Sequence, residues 1–155
     1  MTSMKYLFVN CSKNKNGVTS DLGKTVFEGI HYNPLHLVDY SIKQIDQQND
    51  ERVDQFREVF NQFEEADVIL IGTPVYWSSM SGYLKTFIDR FSEVTDVNLE
   101  GKEVCLIIQG TAPEDAIPFI EHVIKHLCRR FDMKYKGLLQ NKEDAKQLNK
   151  ILKRQ

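Results

Sequence analysis

The chain has 155 residues, 41% hydrophobic and 27% charged, with a formal net charge of −2. That length suits one domain over residues 1–155, and it buries roughly two thirds of the unfolded surface, so no metal or disulfide staple is needed. Near balance between 20 basic and 22 acidic residues argues against a dedicated nucleic-acid binder, and no apolar run approaches the roughly 20 residues of a membrane span. The opening MTSMKYLFVN lacks the charged-then-apolar pattern of a secretory leader. Cysteines at 11, 105 and 128 form no CxxC pair, and an odd number leaves at least one unpaired. A reduced, cytoplasmic setting is the expectation.

The first element is an apolar run at residues 6–9, bounded by turn residues and read as a buried strand. Val18, Leu22, Val26 and Ile30 then recur at helical spacing. A weaker, polar-interrupted strand is predicted at 35–38, followed by a polar loop over 43–52. Val53, Phe56, Phe60 and Phe63 mark a second helix, and residues 68–71 a second strongly apolar strand. Leu84, Phe87, Ile88 and Phe91 form a third helical stripe, and residues 104–108 a third apolar strand. Thr111 with Glu114 reads as a capping box, with Pro113 in the first turn of a helix carrying Ile120, Val123, Ile124, Leu127 and Phe131. A mixed strand at 133–136 ends before Gly137. A last helix carries Ala145, Leu148 and Leu152.

Five β-α units imply an α/β three-layer sandwich, a parallel sheet with helices on both faces. The three most apolar strands belong at its centre and the two mixed ones at its edges. With right-handed crossovers this predicts a five-stranded parallel sheet of order 2-1-3-4-5, the flavodoxin-like arrangement. Its topological switch point lies between the first and third strands, and ligands bind there at the carboxyl ends. The candidate site is therefore the loops after Val9 and Ile71, with the loop after Ile108 alongside.

The first of these loops, residues 10–20, is rich in hydroxyls and amides and leads straight into a helix. A helix N-terminus favours an anion, and Ser12, Thr19 and Ser20 would add hydroxyl donors to a phosphate while Gly17 allows close approach. The alternative is that Thr19 or Asn16 simply caps the helix. In the second loop, residues 72–82, Tyr76 and Trp77 stand where the sheet opens, a placement suited to a flat conjugated ligand or to a subunit interface.

The run Gly72-Thr73-Pro74-Val75-Tyr76-Trp77-Ser78-Ser79-Met80-Ser81-Gly82, with Leu84-Lys85 and Phe87-Ile88-Asp89-Arg90, resembles the signature of the NAD(P)H-dependent FMN reductase family. The first loop matches more loosely: the family's usual Gly-Ser-Pro-Arg stands here as Cys11-Ser12-Lys13-Asn14. The resemblance implies an enzyme with FMN as cofactor and NAD(P)H as co-substrate. It implies that Ser12, Asn16, Val18 and Thr19 hold the phosphate, and that Pro74, Val75, Tyr76 and Trp77 line the isoalloxazine. Gln109, Gly110 and Thr111 match the third ring-contacting loop by position. Hydride would pass from NAD(P)H to FMN and on to a small-molecule acceptor such as a quinone, a nitro or azo compound, or free flavin. That chemistry is the cofactor's, so no catalytic side chain is expected. The close-spaced cysteine cluster of the family's iron–sulfur relatives is absent from the sequence.

A flavodoxin-type single-electron carrier and a flavin-free binding module of the same fold are the competing readings. Carriers are usually strongly acidic and open with a Thr/Ser-x-Thr-Gly-x-Thr loop, neither of which occurs here. His31, His36, His122 and His126 are not assigned to chemistry; His122 and His126 have metal-ligand spacing but no third ligand, so no metal site is expected. Cys11 reads as packing rather than redox chemistry, and Asp89 with Arg90 as a surface or intersubunit pair. Tyr76, Trp77, Met80 and Tyr83 together predict a homodimer.

Overall fold

A computed structural model describes residues 3–47 and 53–155. The order is β1 (Tyr6–Asn10), α1 (Val18–Val26), β2 (Asn33–His36), α2 (Phe56–Glu65), β3 (Val68–Tyr76), β4 (Ser79–Met80), α3 (Gly82–Asp89), β5 (Glu103–Gln109), α4 (Ile117–Arg130), β6 (Lys134–Leu139) and α5 (Lys142–Lys153). Five strands run parallel in the order β2-β1-β3-β5-β6, and β4 adds a short antiparallel rung to β3. Allowing for that extra strand, this is the predicted flavodoxin-like order.

Side chains alternate across the central strands with period two. Leu7, Val9, Ile69, Ile71, Leu106 and Ile108 face the layer of α2, α3 and α4. Phe8, Leu70, Cys105 and Ile107 face α1 and α5. The first layer is dominated by phenylalanines: Phe91 lies 4.9 Å from Phe87 and 5.2 Å from Phe60, both edge-on. The mixed strands β2 and β6 are indeed the edges, because an edge strand can leave polar residues in water.

Several boundaries differ from expectation. Strand β2 ends at His36, and Leu37–Asp39 turn into a 3-10 helix. Met133 precedes β6, while Gly137 lies inside it with φ 140°, at the register shift where Tyr135 pairs Val104 but Gly137 pairs Cys105. That bulge uses the one residue type that adopts this φ freely. The Thr111–Glu114 capping box does not form. Pro113–Asp115 make a separate 3-10 turn and α4 begins at Ile117, with Pro118 in its first turn and no side-chain cap. Ile30, Val53, Phe91 and Phe131 fall outside their helices, Val53 being exposed. Of the polar loop at 43–52, residues 48–52 lie outside the described residues. No helix among the described residues is long and apolar enough to cross a membrane.

Candidate functional site at the carboxyl edge

Strands β1 and β3 end side by side, Asn10 opposite Gly72, and the first loop is built from that end. Neither Asn16 nor Thr19 caps α1. The N-cap is Gly17, without any side-chain bond to the first turn, so the first N–H groups of α1 keep their capacity for an outside acceptor. Ser12, Thr19 and Ser20 are all buried here. The Ser12 hydroxyl accepts the Asn14 N–H at 3.0 Å, which leaves its own hydrogen to donate. Gly72 lets α1 approach: a Cβ there would stand 2.7 Å from Thr19 Cγ2 and 3.0 Å from the Phe8 ring.

The second loop is a hairpin rather than an irregular segment. β3 runs on to Tyr76, the chain reverses through Trp77 (φ 51°) and Ser78 (φ 61°), and β4 pairs back. Two successive positive φ values are the mark of a type I′ turn, usually made by Asn and Gly. Here they hold the Trp77 side chain fully in solvent, 100% exposed. Thr73 and Ser81 lock the base: the Ser81 N–H donates to Thr73 Oγ1 at 3.0 Å, and Ser81 Oγ accepts the Leu84 N–H at 3.2 Å to cap α3. The tip is tied to the third loop by the Ser78 hydroxyl, which donates to Asp115.

The three loops are joined by hydrogen bonds. Gln109 Nε2 donates to Thr19 Oγ1 at 3.1 Å, the Lys13 N–H donates to the Tyr76 hydroxyl at 3.2 Å, and Gly110 sits against Val75. The structure thus brings together Ser12, Val18, Thr19, Pro74, Val75, Tyr76, Trp77, Gln109 and Gly110, with Asn16 and Thr111 exposed in the same loops. None of these side chains is charged. Neutral hydroxyls and free helix N–H groups at one end, with an exposed indole at the other, fit a ligand joining a phosphate to a flat ring. A concavity of about 740 Å³ lies at the opposite edge, before β5 and β6. A cleft of about 470 Å³ beside the hairpin is lined by Leu37, Tyr40, Ile42, Tyr76 and Tyr83.

The model of the NADPH-dependent FMN reductase family matches residues 4–137, which carry all three loops. The chain belongs to that family. It is an NAD(P)H-dependent oxidoreductase with FMN as cofactor. It is 24% identical over 150 residues, 86% of this chain and 82% of the relative, to a protein of Bacillus subtilis (strain 168) described as the putative NAD(P)H-dependent FMN-containing oxidoreductase YwqN. It is also 33% identical over 97 residues to an iron-sulfur flavoprotein of Archaeoglobus fulgidus, a stretch covering 56% of this chain and 48% of that one. In fold it resembles an FMN-dependent NADH-azoreductase from Bacillus anthracis in complex with FMN, with TM-score 0.70, 13% identity, and 97% and 98% of the two chains covered.

Two of the set-aside features take other places. Arg90 is buried and bonded to Asp54 and Glu93, while Asp89 pairs with Lys85 on the same helix. Met80 packs into the core of this chain, not on its surface. All three cysteines are buried and free, and burial pushes the Cys11 thiol well above its ordinary range. Among the described residues no group of three or more His, Cys, Asp or Glu could hold a metal; His122 and His126 are exposed on α4. Sequence reasoning missed Asp115 and the pairing of Asn10 with His36, since neither contact follows any local spacing.

Proposed function

We propose that FMN lies along the carboxyl edge with its phosphate at Ser12, Asn16, Val18 and Thr19. Pro74, Val75, Tyr76 and Trp77 would line its isoalloxazine, together with Gln109, Gly110 and Thr111 of the third loop. The observation that carries this reading is the uncapped start of α1, bonded through Thr19 and Gln109 to the loop beside the exposed Trp77. Bound there, FMN would supply the redox chemistry, hydride acceptance from a nicotinamide and electron delivery to an acceptor. The chain's own residues hold the phosphate, fix the edge of the ring and leave one face open. Small residues after Trp77 (Ser78 and Ser79) leave room beside the indole.

The acceptor we infer is a flat conjugated molecule: a quinone, a nitro or azo compound, or a free flavin. The tyrosine-lined cleft of about 470 Å³, within the size range of small-molecule sites and sharing Tyr76 with the flavin, supports that class. A homodimer covering Trp77 completes the reading. Trp77 is the chain's single tryptophan, so its fluorescence reports the site directly. FMN is expected to quench it at low micromolar concentration, and anaerobic NADH or NADPH to bleach the bound flavin within minutes, with a quinone restoring the yellow colour. Absence of quenching at tens of micromolar defeats the site. Bleaching by dithionite but by neither nicotinamide makes the protein an electron carrier instead.

A further inference from the structure

Asn10 closes β1, fully buried, and stands opposite His36 at the end of β2. Its carboxamide can be oriented in only one way. Oδ1 accepts the Ser12 N–H at 3.1 Å, and Nδ2 donates to the Asn14 carbonyl at 3.3 Å. A backbone N–H needs an acceptor and a carbonyl needs a donor, so the oxygen and nitrogen cannot be exchanged. The remaining Nδ2 hydrogen faces His36 Nδ1 at 3.0 Å, and that ring nitrogen must therefore be the acceptor. The bond requires a neutral His36 with its proton on Nε2. Together the two residues set the path of residues 12–14, the stretch that leads into the uncapped start of α1.

We propose that Asn10 and His36 are positioning residues that hold the flavin-phosphate loop closed only while His36 is neutral. This rests on the FMN reading above and adds its regulation. A proton on Nδ1 would set two donors face to face. Either the imidazole withdraws, or the amide turns and releases both Ser12 and Asn14. FMN affinity then falls as pH drops through the titration of His36. The charged groups facing the ring are Lys15 from the first loop, Lys24 from α1 and Asp39 after β2. The lysines oppose a further positive charge; Asp39 favours one but is already paired with Lys15 at 2.9 Å. Burial acts with the lysines to hold the imidazole below its ordinary value. The loop is accordingly closed at neutral pH and opens in the acid range, below about 6.5.

The test compares the wild type with His36→Asn, whose amide oxygen can accept the same bond and does not titrate. FMN is titrated against Trp77 fluorescence at about pH 8 and about pH 5.5. Wild-type affinity should fall about tenfold, of which about threefold is the phosphate's own protonation and the rest the loss of about one hydrogen bond. His36→Asn should match the wild type within about threefold at pH 8. It should lose no more than about threefold at pH 5.5, the share due to the phosphate's own protonation near pH 6. Identical pH profiles overturn the proposal. So does tighter wild-type binding at pH 5.5, which would mean that the imidazolium simply attracts the phosphate. NMR of the His36 ring in flavin-free protein judges the latch on its own: an Nε2–H tautomer titrating below the ordinary histidine value supports it, and an Nδ1–H tautomer sinks it. If the wild type fails to bind FMN even at pH 8, the flavin site itself is wrong and the proposed regulation falls with it.

Discussion

Arg90 shows how much one side chain can organise. The residue is 4% exposed, and its guanidinium bonds Asp54 at 2.8 and 3.1 Å, Glu93 at 2.6 Å and the Lys43 carbonyl at 2.9 Å. It also lies over the Phe56 ring at 4.5 Å. These contacts fasten the segment after β2, which lines the tyrosine cleft, to the end of α3. Arg90→Met would leave Asp54 partly buried without its cation, at a cost of about 3 kcal/mol, measured by urea unfolding at pH 7. The hydrogen bond from Arg90 is the main cause holding the Asp54 carboxyl below its ordinary value. A carboxylate with a lowered folded pKa stabilises the fold above its unfolded value, near 3.9, and loses that contribution as pH falls further. The gap between wild type and Arg90→Met should therefore be full at neutral pH and narrow below about pH 4. A gap that is flat with pH would exclude the ion pair as its source.

At the scale of elements, the decisive contact is between β3 and α1. The strand can bring its carboxyl end beneath the first turn of the helix because residue 72 has no side chain. Gly72→Ala places a methyl group 2.7 Å from Thr19 Cγ2 and 3.0 Å from the Phe8 ring, and both neighbours are buried. The helix start must move, at a cost of about 1–3 kcal/mol for overpacking, and Thr19 moves with it. FMN binding read from Trp77 should weaken at least about tenfold, in proportion to roughly 1.4 kcal/mol or more. Unchanged affinity with unchanged stability would show that α1 does not depend on this close approach. The hairpin that extends β3 is the other element that matters, since its turn sets the direction in which Trp77 projects. A positive φ at two ordinary residues is costly, and the bonds from Thr73, Ser81 and Ser78 supply the compensation.

For the whole molecule, several exposed large hydrophobics stand at one end. Val18 (58%), Trp77 (100%), Tyr83 (38%) and Phe119 (72%) start or precede α1, α3 and α4 at the carboxyl edge, and Trp77 and Val18 belong to the proposed flavin site. An apolar rim around a ligand edge is what a partner subunit would cover, and it supports the proposed homodimer although Met80 takes no part. Light scattering should give twice the 18.0 kDa of one chain, and Trp77→Ala with Phe119→Ala should shift the particle toward monomer. A wild-type monomer at micromolar concentration would end the dimer proposal.

The sequence by itself determined the α/β class and the centre and edges of the sheet, and it singled out the carboxyl end for the proposed flavin site. Those follow from hydrophobic period and strand polarity, which are local and repeated along the chain. The stretch at 72–90 also carried the family, because a long match in one loop is specific. Contacts between residues far apart in the chain were decided only in three dimensions. Arg90 finds Asp54 rather than a solvent or subunit partner, and Asn10 meets His36 through the β1–β2 register. Helix α4 starts at Ile117 instead of at the Thr111–Glu114 signal, since residues 113–115 are drawn into a turn whose Asp115 holds the hairpin tip. Local propensity is weak beside such tertiary bonds, a few tenths of a kcal/mol per residue against about 1 kcal/mol or more for each.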